Sequence, residues 1–467
     1  MKNAVILAAG RGERLWPYGD TNAKAALSVG TRPLIQWQLD SLAEVGVERV
    51  RVVAGYLDGM VRNACALWLE ANPDRMQIDF VEQKNLNGTA AAAVLGFQGL
   101  ERDKQGGWII PGDLYFHTND LKKLLDRSKQ SGVAVLVVPV PSSHVQETIR
   151  VEVEGGSIQE VCAHSRVWTP NTRRFTGIVA ASQVFIETLE TTPDIPTCVE
   201  IGGMAPVDRE LAETLHQWLK SGETAVAVEA EEAVVDINKP WDFLEANRTS
   251  TLWQTEGIEE NVLADGASID PSARIGGKVR LGKGSRIGPG VIVYGNLVVG
   301  ENSMVTDGAF IEESVVVGDG CRIWRGALVG NRTVIGHGCN VGHGAEFEGL
   351  MLPESYSYHY GEFWGILGRC ADLGAATVCG TLRFDDGQTA HRVKGRREVP
   401  RYHSNATYLG DFVRTGVNAI LMPGVKVGPY SLIGAGVLLS EEVPNNTSVF
   451  VEQTHRKGSW GPERYGW

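Results

Sequence analysis

The segment Leu7-Ala8-Ala9-Gly10-Arg11-Gly12-Glu13-Arg14 places two glycines directly after a short apolar run, with Arg14 just beyond them. Glycines in such a turn let backbone N–H groups approach phosphate oxygens, and a guanidinium adds charge-assisted hydrogen bonds to the same oxygens. Lys24 lies ten residues after Arg14, in Asn22-Ala23-Lys24-Ala25-Ala26-Leu27, before Arg32-Pro33-Leu34-Ile35 opens a helix. Far along the chain, Arg392, Lys394, Arg396, Arg397 and Arg401 cluster within 382–407. That basic stretch reads either as a solvated loop or as a phosphate-binding one. The seven cysteines never form a C-x-x-C pair and are odd in number, so neither a zinc site nor a disulfide framework is indicated. With 56 acidic residues against 44 Lys plus Arg, the net charge of −12 argues against a nucleic-acid or other general polyanion-binding surface. A phosphorylated substrate therefore needs a local cationic site.

The elements that must position these residues fall into two kinds, as 467 residues exceed one ordinary core. Over 1–250, apolar strand-like runs (Val5-Ile6-Leu7, Val50-Arg51-Val52-Val53, Trp108-Ile109-Ile110, 133–138) alternate with amphipathic stretches at 34–45 and 59–69. Such alternation implies an α/β domain with a mostly parallel sheet. After a linker at 251–265, aliphatic or aromatic residues recur every six positions from Ile269 through Leu281, Val293, Val305, Val317, Val329 and Val341 to Phe347. A six-residue period matches a parallel β-helix of hexapeptide repeats. Glycine follows many of these positions (Gly276, Gly282, Gly300, Gly318, Gly336), as expected of turns needing positive φ. Cys321 and Cys339 fall among the small packed residues two positions earlier. The phase breaks twice, which predicts loops near 349–362 and 382–407 within a repeat domain of 266–445, followed by a tail at 446–467. No apolar run is long enough to cross a bilayer, and the start reads as a first strand rather than a leader, so a cytoplasmic, membrane-free protein is expected.

The Leu-Ala-Ala-Gly turn, Arg14, Lys24, Gln83, Gly88-Thr89-Ala90, Pro111-Gly112-Asp113 and Asp236-Ile237-Asn238-Lys239-Pro240-Trp241-Asp242 stand in the order of the sugar-phosphate nucleotidyltransferases, which the first domain resembles. With the hexapeptide repeats attached, the whole chain is similar to the bifunctional uridylyltransferase/acetyltransferases and their archaeal relatives. The resemblance implies a Rossmann-like nucleotidyltransferase domain followed by a left-handed parallel β-helix. It also implies nucleotidyl transfer from UTP or dTTP to a hexose or aminohexose 1-phosphate with release of pyrophosphate. Leu7, Ala9, Gly10, Gly12, Gln83, Gly88 and Thr89 would bind the nucleotide, Arg14 the leaving pyrophosphate, and Lys24 the α-phosphate. Asp113 and Asp236 would hold Mg²⁺, and Gly177 and Arg174 would meet the sugar phosphate. In the repeat domain His359 would be the base of acyl transfer from acetyl-CoA, and a homotrimer or dimer of trimers is implied.

Certain positions depart from the pattern. Glu13 stands where Ser or Thr is usual, Ala23 where proline is, and Val161-Cys162-Ala163-His164 lacks the lysine that grips the sugar phosphate. Arg166, Arg173 and Arg174 are the substitutes near Thr176-Gly177. The glycine and aspartate that usually follow the histidine are missing after His359, whereas His337 and His343 read as structural turn residues. These departures leave open a second reading, a degenerate paralogue that binds a nucleotide sugar and regulates another enzyme.

Overall fold

The computed structural model describes residues 1–100, 106–163, 165–196 and 207–462; His164 and Cys198 lie outside them. The N-terminal domain is built on a nine-stranded sheet in the order 77–82, 49–54, 3–8, 107–111, 172–181, 133–139, 226–229, 157–163, 149–154. Its first four strands are parallel. Beyond them Thr172–Ala181 runs antiparallel to both neighbours, so the sheet is mixed rather than mostly parallel. The helices Leu34–Glu44 and Asp58–Ala71 follow the sequence periodicity closely, and a further helix, Thr89–Phe97, is apolar on nearly all sides and has no such pattern. Around the sheet Ile6, Val52, Trp108, Ile110 and Leu136 are fully buried. The chain order reverses between Asn3–Ala8 and Gly107–Pro111, where doubly wound sheets open a crevice at their carboxyl ends.

The second half is a parallel coil of three faces. Val329 pairs with Phe347, eighteen residues on, as three hexads per turn require. Where a loop is expected near 349–362, the coil instead continues, and Ile335 pairs with Met351 only sixteen residues on. The corner is shortened by two residues: Ala345–Met351 and Gly361–Leu367 run unbroken across it, with Gly349 and Gly365 at φ of 122° and 140°. The phase shift is thus a trimmed corner, not a bulge.

The glycines that follow the core positions also have a different cause. Gly282 and Gly300 do not have positive φ; a Cβ on Gly282 would lie 2.6 Å from the carbonyl carbon of Gly300 in the next coil. The left-handed residues come two positions later, at Gly284, Asn302, Gly320 and Gly338. Cys321 and Cys339 are fully buried in the stack, and burial pushes their thiols up to about 11 and 12.

Of the expected linker, residues 251–255 belong to the helix Pro240–Thr255, and the first coil strand already begins at Val262. The coil continues past 445, to Ser448–Val449. Among the described residues no helix is long and apolar enough to cross a membrane. A shared core joins the halves: Leu15, Tyr18, Phe243 and Leu244 pack with Val334, Leu350, Ile366 and Tyr408.

Candidate active site

The first strand ends at Ala8, and the following turn meets Asp113 and Lys24 across a cleft of about 270 Å³ lined also by Leu7, Ala9, Gly10, Gly12, Gln83, Gly88 and Thr89. Gly12 has φ of 67°, and a Cβ there would press on the Lys24 side chain at 3.2 Å. No atom outside its neighbours comes within 4 Å of a Cβ built at Gly10, so that face of the turn is open. Gly88 is required for another reason than ligand approach: at φ of 100° its Cβ would fall 2.2 Å from the carbonyl oxygen of Arg209. Thr89 likewise already has partners, donating to Glu210 Oε2 at 2.6 Å and accepting from the Leu211 N–H at 2.8 Å. Gln83 is buried and donates to Asn87 Oδ1 at 3.2 Å.

The two carboxylates are brought together by a short antiparallel ladder in which Asp236 pairs with Leu114 and the Ile237 N–H bonds to the Asp113 carbonyl at 2.9 Å. Lys24 Nζ donates to Asp113 Oδ2 at 2.9 Å and to Asn238 Oδ1 at 2.7 Å. Arg14 Nη2 donates to the same Asn238 oxygen at 2.8 Å. Arg174 Nη1 lies 3.6 Å from Asp236 Oδ2, and its Nη2 donates to the Val234 carbonyl at 3.0 Å. Burial and then the Asp113 charge raise the Asp236 carboxyl above the usual range, against the pull of Arg174, Lys24 and Arg14. Two neighbouring carboxylates that repel each other are a suitable donor pair for a hard cation that keeps waters and phosphates as its other ligands. Among the described residues no group of three or more His, Cys, Asp or Glu has metal-binding geometry.

Asn238 was not among the candidates, although it stands two residues after Asp236 in the quoted motif; its signal was position alone. Of the possible substitutes for the missing lysine, only Arg174 reaches the carboxylates. Arg173 is committed to Glu229 at 2.6 Å and to the Pro170 carbonyl, and Arg166 is exposed. Gly177 has φ of 85°, and a Cβ there would fall 2.8 Å from the Pro111 ring. An adjoining cavity of about 430 Å³ has Arg174, Asp236 and Trp241 on one wall and Glu398, Pro400 and Tyr402 from the coil insertion on the other.

His359 does not lie in a bulge of the coil. It is exposed on a turn of the coil, with its ring 5.4 Å from that of His343 one turn earlier. The basic stretch 382–407 forms a hairpin, His391–Val393 with Arg396–Glu398, that folds back onto the N-terminal domain of its own chain. Glu13 is paired there with Lys394, whose hydrogen bond draws its carboxyl below the usual range.

Residues 3–154 match the nucleotidyl transferase family, and residues 258–353 match the GMPPB C-terminal domain family. The bifunctional protein GlmU of Methanocaldococcus jannaschii is 26% identical over 96% of this chain and 97% of its own length. A Sulfurisphaera tokodaii protein named bifunctional sugar-1-phosphate nucleotidylyltransferase/acetyltransferase is 24% identical over 94% of this chain and 98% of its own. UDP-glucose pyrophosphorylase of Acinetobacter baumannii superposes with a TM-score of 0.46 at 19% identity, over 55% of this chain and 95% of that one. The first third of the chain thus matches the nucleotidyl transferase family model, and both halves together are similar to the bifunctional archaeal proteins.

Proposed function

We propose that the chain transfers a nucleotidyl group from UTP or dTTP to a sugar 1-phosphate, releasing pyrophosphate. The observation that carries this reading is the convergence of Lys24, Arg14, Asp113 and Asp236 beside the open Gly10 turn. Such a transfer brings two polyanions together, so its acceleration comes chiefly from positioning and charge neutralisation. Lys24 would contact the α-phosphate, and Arg14 the β- and γ-phosphates that leave. Arg174, beside Asp236, would hold the phosphate of the sugar. Asp113 and Asp236 would bind Mg²⁺, whose part is to neutralise charge on the phosphates. Gln83 presents an amide at the cleft wall, the donor and acceptor a base edge requires.

For the second half we propose a left-handed β-helix that assembles a trimer or a dimer of trimers, and for the protein a place in the cytoplasm. Acyl transfer from acetyl-CoA with His359 as base belongs to the same proposal, supported by the names of the archaeal relatives. A panel assay of pyrophosphate release across NTPs and sugar 1-phosphates tests the first activity. Tight NTP binding with no pyrophosphate from any pair would replace it with the regulatory reading. Thiol release from acetyl-CoA with an amino-sugar phosphate tests the second, and sedimentation as a stable monomer at micromolar concentration would remove the trimer.

A further inference from the structure

The hairpin at 391–398 belongs to the coil by sequence, yet its tip lies on the phosphate turn of the other domain. Its seat is firm on both sides. Val393 is buried in the core shared with Trp241 and Phe243. His391 is buried with its ring 5.0 Å from that of Trp241, and its Nε2 lies 2.7 Å from the Ser404 carbonyl. Lys239 pairs with Glu398, and Lys426 Nζ donates to the Arg392 carbonyl at 3.1 Å.

The tip itself is unusual. Lys394 and Gly395 have φ of 46° and 78°, a two-residue turn with both centres left-handed, for which Asn-Gly is the relaxed choice. A lysine is held there against its backbone preference. Its ammonium pairs with Glu13 and, with Arg11, Gly12, Arg14 and Lys24, lines a cavity of about 240 Å³. That cavity shares Gly12, Lys24 and Leu86 with the nucleotide cleft. The Lys394 and Glu13 side chains are 41% and 51% exposed, and a pair so exposed contributes little stability, so its effect is on position. A cavity lined by one carboxylate and four basic side chains also suits a more highly charged anion.

We propose that Lys394 is a phosphate-binding residue of the nucleotidyltransferase site, supplied by the coil insertion and held over the Gly10–Gly12 turn by Glu13, and that its ligand is the polyphosphate end of an NTP. The ligand's identity rests on the nucleotidyl-transfer reading. Glu13 then has a reason to replace the usual hydroxyl residue: it orients a cation that comes from the other domain.

Calorimetric titration of the full chain with inorganic tripolyphosphate tests the contact without requiring turnover. Lys394→Asn, which suits the left-handed turn, should weaken binding about ten-fold, as loss of a charge-assisted phosphate contact does. Lys394→Arg should stay within about three-fold of the parent. In turnover, Lys394→Asn should raise KM for the NTP while KM for the sugar 1-phosphate stays within about two-fold. Tripolyphosphate binding by Lys394→Asn within about two-fold of the parent overturns the proposal, as does an equal loss of both substrates, the mark of a merely structural hairpin. If the parent binds tripolyphosphate through Lys394 but releases no pyrophosphate with any substrate pair, the nucleotidyl-transfer reading fails and the phosphate contact stands.

Discussion

Asn238 accepts from both Lys24 and Arg14, so one side-chain oxygen fixes the spacing of the two cations proposed to meet the phosphates. Asp113 neutralises Lys24 from the other side and repels Asp236. Replacing Asp113 by Asn removes this repulsion together with the Lys24 ion pair, two opposed effects, so the chain should still fold. Pyrophosphate release should nonetheless fall by about 10²–10³-fold, the scale of losing one preorganised electrostatic group. Undiminished turnover in a folded Asp113→Asn protein would take Asp113 out of the site.

Asp242 carries a second, pH-dependent effect. Burial, then the charge of Asp236, pushes its carboxyl up to about 7, although it accepts the Lys239 N–H at 2.9 Å. The folded chain therefore holds this proton where the unfolded chain, titrating near the ordinary value of 3.8, has released it. Stability from this group is full below the lower value and is lost as the pH rises toward 7. Asp242→Asn should flatten the decline of the melting temperature between those limits, and a parallel decline in parent and variant would contradict the assignment. Arg14, Lys24, Asp113 and Asp236 were legible in the sequence because each sits in a local motif with a chemical purpose. Asn238 was not singled out, and the basic stretch holding Lys394 read only as solvated or phosphate-binding, since the contacts of both residues exist only where distant segments meet.

Individual elements were read unevenly, for a reason the coil makes plain. A six-residue period reports which side chains point inward, and Val305, Ile323 and Val341 are all fully buried. It does not report backbone sign, which is why glycines beside the next coil's backbone were mistaken for left-handed turn residues. Nor does a phase break distinguish a loop from a shortened corner. Gly365 separates these requirements: at φ of 140°, a Cβ would sit 1.9 Å from the Thr407 carbonyl oxygen in the next coil. Gly365→Ala must move that strand and should cost more than about 3 kcal/mol, above the usual range of overpacking. Gly155, at φ of 57° in a hairpin turn, has open space around it. There the same change should cost only about 1–2 kcal/mol of backbone strain. Equal losses in denaturant titrations would show that coil contact is not what makes Gly365 necessary.

Across the molecule, one face of the coil is covered by the other domain. The outward residues Val316, Val334, Leu350, Ile366 and Tyr408 on that face are buried, whereas Arg286, Arg322 and Arg414 occupy equivalent outward places on another. The apolar outward positions were present in the sequence, but the inward period dominates any reading and hides a second pattern that recurs only once per turn. Polar contacts close the same junction. Tyr18 Oη donates to the Ile366 carbonyl at 3.2 Å, Thr21 and Asn22 donate to Asp411 Oδ2 at 2.9 and 3.0 Å, and Trp16 Nε1 donates to Asn445 at 2.7 Å. These four residues lie between Gly12 and Lys24, so the coil supports the segment that positions both Arg14 and Lys24.

The halves should therefore not melt independently. Ile366→Ala removes a fully buried side chain from the shared core and should cost about 2–5 kcal/mol. If the core couples the domains, scanning calorimetry should give one dominant transition, and this substitution should lower it as a whole. A nucleotide analogue bound only by the N-terminal cleft should raise that same transition, since a ligand of the native state stabilises every region that unfolds with its site. Two resolved transitions, with Ile366→Ala shifting one and the nucleotide analogue the other, would mean that the junction holds two autonomous domains side by side without joining their stability.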